Sequence, residues 1–144
     1  MAVKKAIIQK EVGTVPGIDG QKMSKSYGNT ISLFATDEEI DKLVSIIPTD
    51  STPVDAPKNP DTNNIFNIHK LILNPEQVAE LRKKYETPGL SYKEAKDMLK
   101  TDLKAFIKPF REKREYYLRN PKKILKILKK GGKIARKNAI AKMK

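Results

Sequence analysis

The 144-residue chain carries 30 Lys+Arg against 17 Asp+Glu, one His, no Cys and no Trp, for a formal net charge of +13. That length suits one modest domain, or a domain with a piece of another attached, and 38% hydrophobic against 33% charged residues imply a small core under a heavily charged surface. Disulfides, thiolate zinc sites and cysteine nucleophiles are excluded, a lone histidine argues against a His-rich metal site, and no apolar run approaches the roughly 20 residues that span a bilayer. The N-terminus lacks the charged-then-apolar pattern of a signal peptide, so the expected setting is cytoplasmic, with no membrane partner.

In chain order, Ala6, Ile7 and Ile8, then Val12 and Val15, form short apolar or alternating runs that predict a strand. Pro16-Gly17-Ile18-Asp19-Gly20 follows as a turn. From Thr36 the punctuation becomes helical. Thr36-Asp37-Glu38-Glu39 is a capping box, and Ile40, Leu43, Val44 and Ile47 then recur on one helix face until Pro48. Residues 49–64 carry three prolines and few apolar side chains, which predicts a long ordered loop or linker.

Asn59-Pro60 is expected to cap the next helix, whose Ile65, Phe66, Ile68, Leu71 and Ile72 mark it as the most buried element. His69 lies within it and reads as a packed or hydrogen-bonded structural residue. Asn74-Pro75 opens a third helix, with proline at the first helical position, faced by Val78, Leu81 and Tyr85 and ended by Pro88-Gly89. Ser91-Tyr92-Lys93-Glu94 is a second capping box before Ala95, Met98, Leu99, Leu103, Phe106, Ile107, Phe110 and Tyr117. Phe106, Phe110 and Tyr117 are expected in the core, Tyr116 and the neighbouring arginines outside it, and Pro109 is expected to kink the helix. Asn120-Pro121 starts a fifth helix with Ile124, Leu125 and Leu128, and Gly131-Gly132 is expected to break or bend it before a last thin stripe ending at Met143. The fold class is mainly α, with residues 36–144 forming a bundle of about five short helices.

Lys122, Lys123, Lys126, Lys129, Lys130, Lys133, Arg136, Lys137, Lys142 and Lys144 contain no acidic residue among them. Such a run is either a solvated helix face or a surface for an anionic partner, nucleic acid foremost.

The strongest local feature is Lys22-Met23-Ser24-Lys25-Ser26, between the Asp19-Gly20 turn and Tyr27-Gly28-Asn29-Thr30. Two lysines three apart on a glycine-flanked loop, with hydroxyls and amides between them, suit a polyphosphate whose charge shifts during reaction. By composition alone the same loop is also an ordinary basic surface loop. The five residues match the full KMSKS signature, and the chain thereby resembles the class I aminoacyl-tRNA synthetases. Val15-Pro16-Gly17-Ile18-Asp19-Gly20-Gln21, Tyr27-Gly28-Asn29-Thr30-Ile31, Thr49-Asp50-Ser51-Thr52-Pro53, Tyr92-Lys93-Glu94-Ala95-Lys96 and Pro109-Phe110-Arg111-Glu112-Lys113-Arg114 resemble the bacterial tryptophanyl type, with the tyrosyl type the nearest rival. The likeness runs from about Lys10 to Lys144.

The resemblance implies a ligase that activates tryptophan with ATP and Mg²⁺, then charges tRNA(Trp). It makes residues 1–35 the end of a Rossmann-like α/β catalytic domain and 36–144 the helical anticodon-binding domain. By position it implies ATP contacts from Lys22, Met23, Ser24, Lys25 and Ser26, with Lys22 and Lys25 catalytic and Met23 an anchor. It also implies tRNA contacts from Lys108, Arg111, Lys113, Arg114 and Tyr116. The Mg²⁺ would arrive with the phosphates, since no dedicated protein ligands stand out. The family's HIGH-type signature and its indole pocket are absent from the sequence, so the chain resembles only the C-terminal portion. It is expected to form no adenylate alone, and tryptophan would be held only by the missing part. A homodimer is expected of the whole enzyme, and Met1-Ala2 before a mid-family segment suggests a truncated or engineered start. The alternative is a non-catalytic basic helical module that binds nucleic acid.

Overall fold

A computed structural model describes residues 13–143. The strand expected around Ala6–Ile8 and Val12 lies outside them. Among the described residues, five α-helices follow a 3₁₀ turn at Lys25–Tyr27: α1 (Asp37–Ser45), α2 (Asn64–His69), α3 (Pro75–Glu86), α4 (Tyr92–Leu118) and α5 (Pro121–Met143). The described residues hold an isolated antiparallel bridge, Pro16 to Lys22, and no extended strand. The mainly α class therefore stands.

Local start signals behave as chemistry dictates. Thr36 Oγ1 accepts from the Glu39 amide while the Glu39 carboxylate accepts from the Thr36 amide, at 3.2 and 2.8 Å, so α1 begins on a complete capping box. Asn74 and Gln77 form the same reciprocal pair, with Pro75 in the first turn of α3. At the start of α4, Ser91 Oγ accepts from the Glu94 amide at 3.0 Å.

The cap of α2 differs from expectation. Asn63, not Asn59, accepts from the Phe66 amide at 3.2 Å. Asn59 instead accepts from the Asp61 amide two residues on, an Asx turn that competes with helix initiation. The proline-rich loop before α2 is tied down by Lys58, which is buried. Its backbone amide donates to the Tyr85 carbonyl (2.7 Å), its ammonium donates to the Pro53 carbonyl (3.1 Å), and the Tyr92 ring lies 4.8 Å from it.

The chain divides into two compact units, Met1–Ile107 and Lys108–Lys144, and the composition change near residue 35 falls inside the first. The first unit is built on Ile40, Val44, Ile47, Ile65, Phe66, Ile68, Leu81, Tyr85 and the α4 stripe Ala95, Leu99, Leu103, Ile107. Phe66 and Tyr85 meet edge to face, 5.2 Å between centroids. That stripe explains why two aromatic expectations fail. Phe106 precedes Ile107 by one residue, about 100° around the helix, and Phe110 falls beyond it in the second unit; they are 38% and 40% exposed. Tyr117 is half-buried.

The second unit comprises residues 108–118 of α4 and all of α5. Pro109 sits inside a continuous α4, and Gly131-Gly132 inside a continuous α5. Glycine costs a helix about 1 kcal/mol relative to alanine but keeps both backbone hydrogen-bonding groups, so the pair weakens the ladder without cutting it. No residue of α5 is buried, and Leu125, Ile127, Leu128 and Ile134 are all exposed.

Candidate phosphate-facing loop and basic helical surface

The KMSKS loop is organised around one buried amide. Asn29, 3% exposed, accepts from the Ser24 amide through Oδ1 (2.7 Å) and donates through Nδ2 to Asp19 Oδ1 (2.8 Å) and the Lys22 carbonyl (3.2 Å). Its own carbonyl accepts from the Ile18 amide at 3.0 Å. The segment before the motif and the motif itself are thereby clamped to a single side chain. Asp19 Oδ1 also accepts from the Gln21 amide (3.0 Å), and the Met23 amide donates to the Val15 carbonyl (2.8 Å), which completes a narrow hairpin-like ribbon closed by the Pro16–Lys22 bridge. Asn64, on α2, donates to the Gly17 and Ile18 carbonyls at 3.0 and 3.1 Å and fastens the ribbon to the helical core.

Gly17 and Gly28 are required by this geometry for different reasons. A Cβ on Gly17 would stand 2.4 Å from Asn29 Nδ2. Gly28 ends the 3₁₀ turn with φ +67°, a left-handed conformation that glycine adopts without penalty. Within the motif, Ser24 and Ser26 hydroxyls pair at 2.8 Å, Met23 is half-buried, and Lys22 and Lys25 are exposed. Lys22 lines a cleft of about 240 Å³ between the loop and α2, whereas Lys25 lies outside it on the 3₁₀ turn. The sequence singled out the motif but not its anchors, Asn29 and Asn64. Asn29 follows a turn glycine and Asn64 lies 35 residues further along the chain, so local pattern carries no sign that they meet the same ribbon.

His69 is structural, as its place in an apolar helix suggests. It is 1% exposed, and its Nε2 lies 2.6 Å from Asp102 Oδ2 on α4, while Nδ1 is buried without a hydrogen-bond partner. With Nε2 donating to the carboxylate, a second proton on Nδ1 would have no acceptor. Burial lowers the His69 pKa from its ordinary 6.5, and Asp102 opposes that shift less strongly. The unfolded chain therefore binds more protons between the two values, and stability contributed by neutral His69 is present above about 6.5 and lost as pH falls toward the depressed folded value. Denaturant unfolding at about pH 7.5 and about pH 5.5 is expected to show a larger acid loss for the native chain than for His69→Gln; parallel losses would remove this assignment. Among the described residues, no group of three or more His, Cys, Asp or Glu is arranged to hold a metal ion, and no helix is long and apolar enough to cross a membrane.

In the second unit, Lys108, Lys113, Arg114 and Tyr116 are exposed and Arg111 is half-buried. Lys123 donates to the Tyr116 hydroxyl and lies 4.7 Å from that ring, and Tyr116 meets Tyr117 edge to face at 5.3 Å. On α5, Lys122, Lys126, Lys129, Lys130 and Lys133 line one groove with Leu125. Aromatic rings beside the acid-free lysine run of α5 form a surface chemically suited to phosphates and bases.

The family model described as tRNA synthetases class I (W and Y) matches residues 2–108. The chain belongs to this family. Relatives of this class I synthetase segment include the tryptophan–tRNA ligase of Fusobacterium nucleatum, 43% identical over 96% of the chain and 42% of that protein. The tryptophan–tRNA ligase of Campylobacter jejuni RM1221 is 41% identical over 96% of the chain and 43% of its own length. The solved structure of Campylobacter jejuni tryptophanyl-tRNA synthetase complexed with ADP and tryptophan superposes with a TM-score of 0.83, covering 96% of this chain and 44% of that one. The class I segment thus spans less than half the length of the relatives it matches.

Proposed function

We propose that this chain supplies the ATP-phosphate loop and the tRNA-binding helices of a tryptophan–tRNA ligase. The observation that carries the reading is the complete KMSKS set on a ribbon clamped by Asn29, with both lysines of the motif exposed. In the reaction, a carboxylate oxygen of tryptophan attacks the α-phosphorus of ATP and pyrophosphate leaves; a ribose hydroxyl of the terminal adenosine of tRNA(Trp) then takes the aminoacyl group from the adenylate, and AMP leaves. Lys22 and Lys25 would hold the departing phosphates as charge accumulates on them, and the Ser24 and Ser26 hydroxyls would add hydrogen bonds. Mg²⁺ would arrive with the phosphates and neutralise part of their charge. The names of the relatives favour tryptophan over tyrosine as the amino acid, and a cytoplasmic setting and a homodimeric whole enzyme belong to the same proposal.

The test is tryptophan-dependent pyrophosphate exchange. The chain alone is expected to show none, because the HIGH-type signature is missing from its sequence. Joined to the remaining portion of the Campylobacter jejuni enzyme, it is expected to restore exchange. A silent but well-folded chimera would sink the catalytic reading and leave the nucleic-acid-binding module.

For the helices, tRNA affinity is expected to fall steeply with salt. Changing Lys108, Arg111, Lys113 and Arg114 together to Gln should flatten the slope of log K against log salt by about 3, four phosphate contacts each contributing about 0.7–0.9. An unchanged slope would move the tRNA contact elsewhere, α5 being the next surface to test.

A further inference from the structure

The cleft beside the KMSKS loop contains a second cation that the signature does not include. Its walls come from the ribbon on one side, with Thr14, Gln21 and Lys22, and from α2 and its flanks on the other, with Thr62, Asn67 and Lys70. Among its described lining residues are two ammonium groups and several neutral donors, and no carboxylate. Two further features prepare it for an anion. Lys70 donates to Asn67 Oδ1 at 2.7 Å, which restrains a flexible stem before any ligand arrives. Asp61 feels the charge of Lys70 and is itself ion-paired with Arg82 at 2.6 Å, so its charge is shared between two cations. The two walls are joined by Asn64, whose amide binds the Gly17 and Ile18 carbonyls, so Lys22 and Lys70 are carried on one connected frame.

From this arrangement we infer that Lys22 and Lys70 together bind a pyrophosphate group, the di- or triphosphate tail of a nucleotide, in the cleft between the KMSKS loop and α2. The inference rests on the proposed function and deepens it, since it divides the two lysines of the motif. Lys22 works with Lys70 in the cleft, and Lys25 approaches from the 3₁₀ turn outside it. Lysines suit the task because a compact ammonium follows a charge that shifts among phosphate oxygens. Lys70 contacts the phosphate itself, 48 residues from its partner along the chain.

The experiment titrates the intact chain with inorganic pyrophosphate at about 150 mM salt, where long-range steering by α5 is largely screened, and follows amide shifts by nuclear magnetic resonance. Shifts are expected to concentrate at Gly20, Gln21, Lys22, Asn67 and Lys70. Lys70→Gln should weaken binding by about tenfold or more, as expected for loss of a hydrogen bond to a charged group, while Lys70→Arg should recover most of the affinity. Unchanged thermal midpoints in both variants would show that the loss is not one of folding. If Lys22→Gln and Lys25→Gln weaken binding and Lys70→Gln does not, the inference falls while the phosphate reading of the loop survives. If none of the three changes affinity and the shifts map to the α5 lysines, both fall. Titration with a short single-stranded RNA separates the other source of phosphate. Cleft shifts produced by RNA and not by pyrophosphate would overturn the nucleotide assignment, and no binding of either would overturn the site altogether.

Discussion

Lys25→Ala in the exchange-active chimera is expected to lower tryptophan-dependent pyrophosphate exchange by about 10²–10³-fold, with tryptophan affinity held within about twofold. The magnitude is that of removing one donor aimed at developing transition-state charge. The asymmetry follows from what the side chain reaches. Lys25 is exposed on a 3₁₀ turn closed by Gly28 at φ +67°, and no residue that reads tryptophan's side chain has been placed on this loop. Under the proposed function its contribution would grow as negative charge moves onto the departing pyrophosphate and would be small in the ground state with the amino acid bound. Steady-state exchange across tryptophan and ATP concentrations separates the two effects. Equal losses in exchange rate and tryptophan affinity would make the loop a structural element, without a role in the transition state.

Gly17→Ala is expected to unlock the loop without touching any residue of the motif. The new Cβ would stand 2.4 Å from Asn29 Nδ2, 2.5 Å from Asn29 Cγ and 2.8 Å from the Asn29 carbonyl oxygen, so the carboxamide cannot keep its place. Displacing it breaks the bonds to the Ser24 amide, the Lys22 carbonyl and Asp19 together. Overpacking of this kind costs about 1–3 kcal/mol, and a buried polar group left unpaired costs about as much again. Amide exchange at Ser24 and Ile18 should accelerate by about 10²-fold or more, while amides in the α3 interior stay protected. Asn29→Ala removes the anchor without the clash and should accelerate Ser24 alone among those two, because the Ile18 amide donates to the Asn29 backbone carbonyl. The double variant should be less damaging than the sum, since the shortened side chain makes room for the methyl. Unaltered Ser24 exchange in Gly17→Ala would mean that the ribbon holds its shape without Asn29.

Much of the helical part was legible from short-range rules. The reciprocal bonds of Thr36 with Glu39 and of Asn74 with Gln77 span three residues, a distance over which sequence alone decides the geometry. The same rules misjudged the Asn59-Pro60 cap, because two asparagines competed for one helix start and the Asx turn at Asn59 shifted the start to Asn63. They overestimated Gly131-Gly132 as a breaker, since glycine lowers helix stability without removing a donor or an acceptor. Apolar spacing alone placed Phe106 and Phe110 in the core. The packed stripe stops at Ile107, and only contacts with other elements could mark that end.

The sequence by itself determined the family and the KMSKS signature, because five adjacent residue identities are read directly from the chain. It also determined the mainly helical class, because caps and apolar periods are properties of neighbouring residues. Tertiary structure alone decided what holds that loop and what stands across from it. Asn64 reaches the ribbon from 47 residues beyond Gly17, His69 meets Asp102 across 33 residues, and Lys70 is brought to the cleft that Lys22 lines. Such pairings depend on how helices pack, and packing is selected by the burial of Phe66, Tyr85, Leu99 and their neighbours, a collective property that no local spacing records.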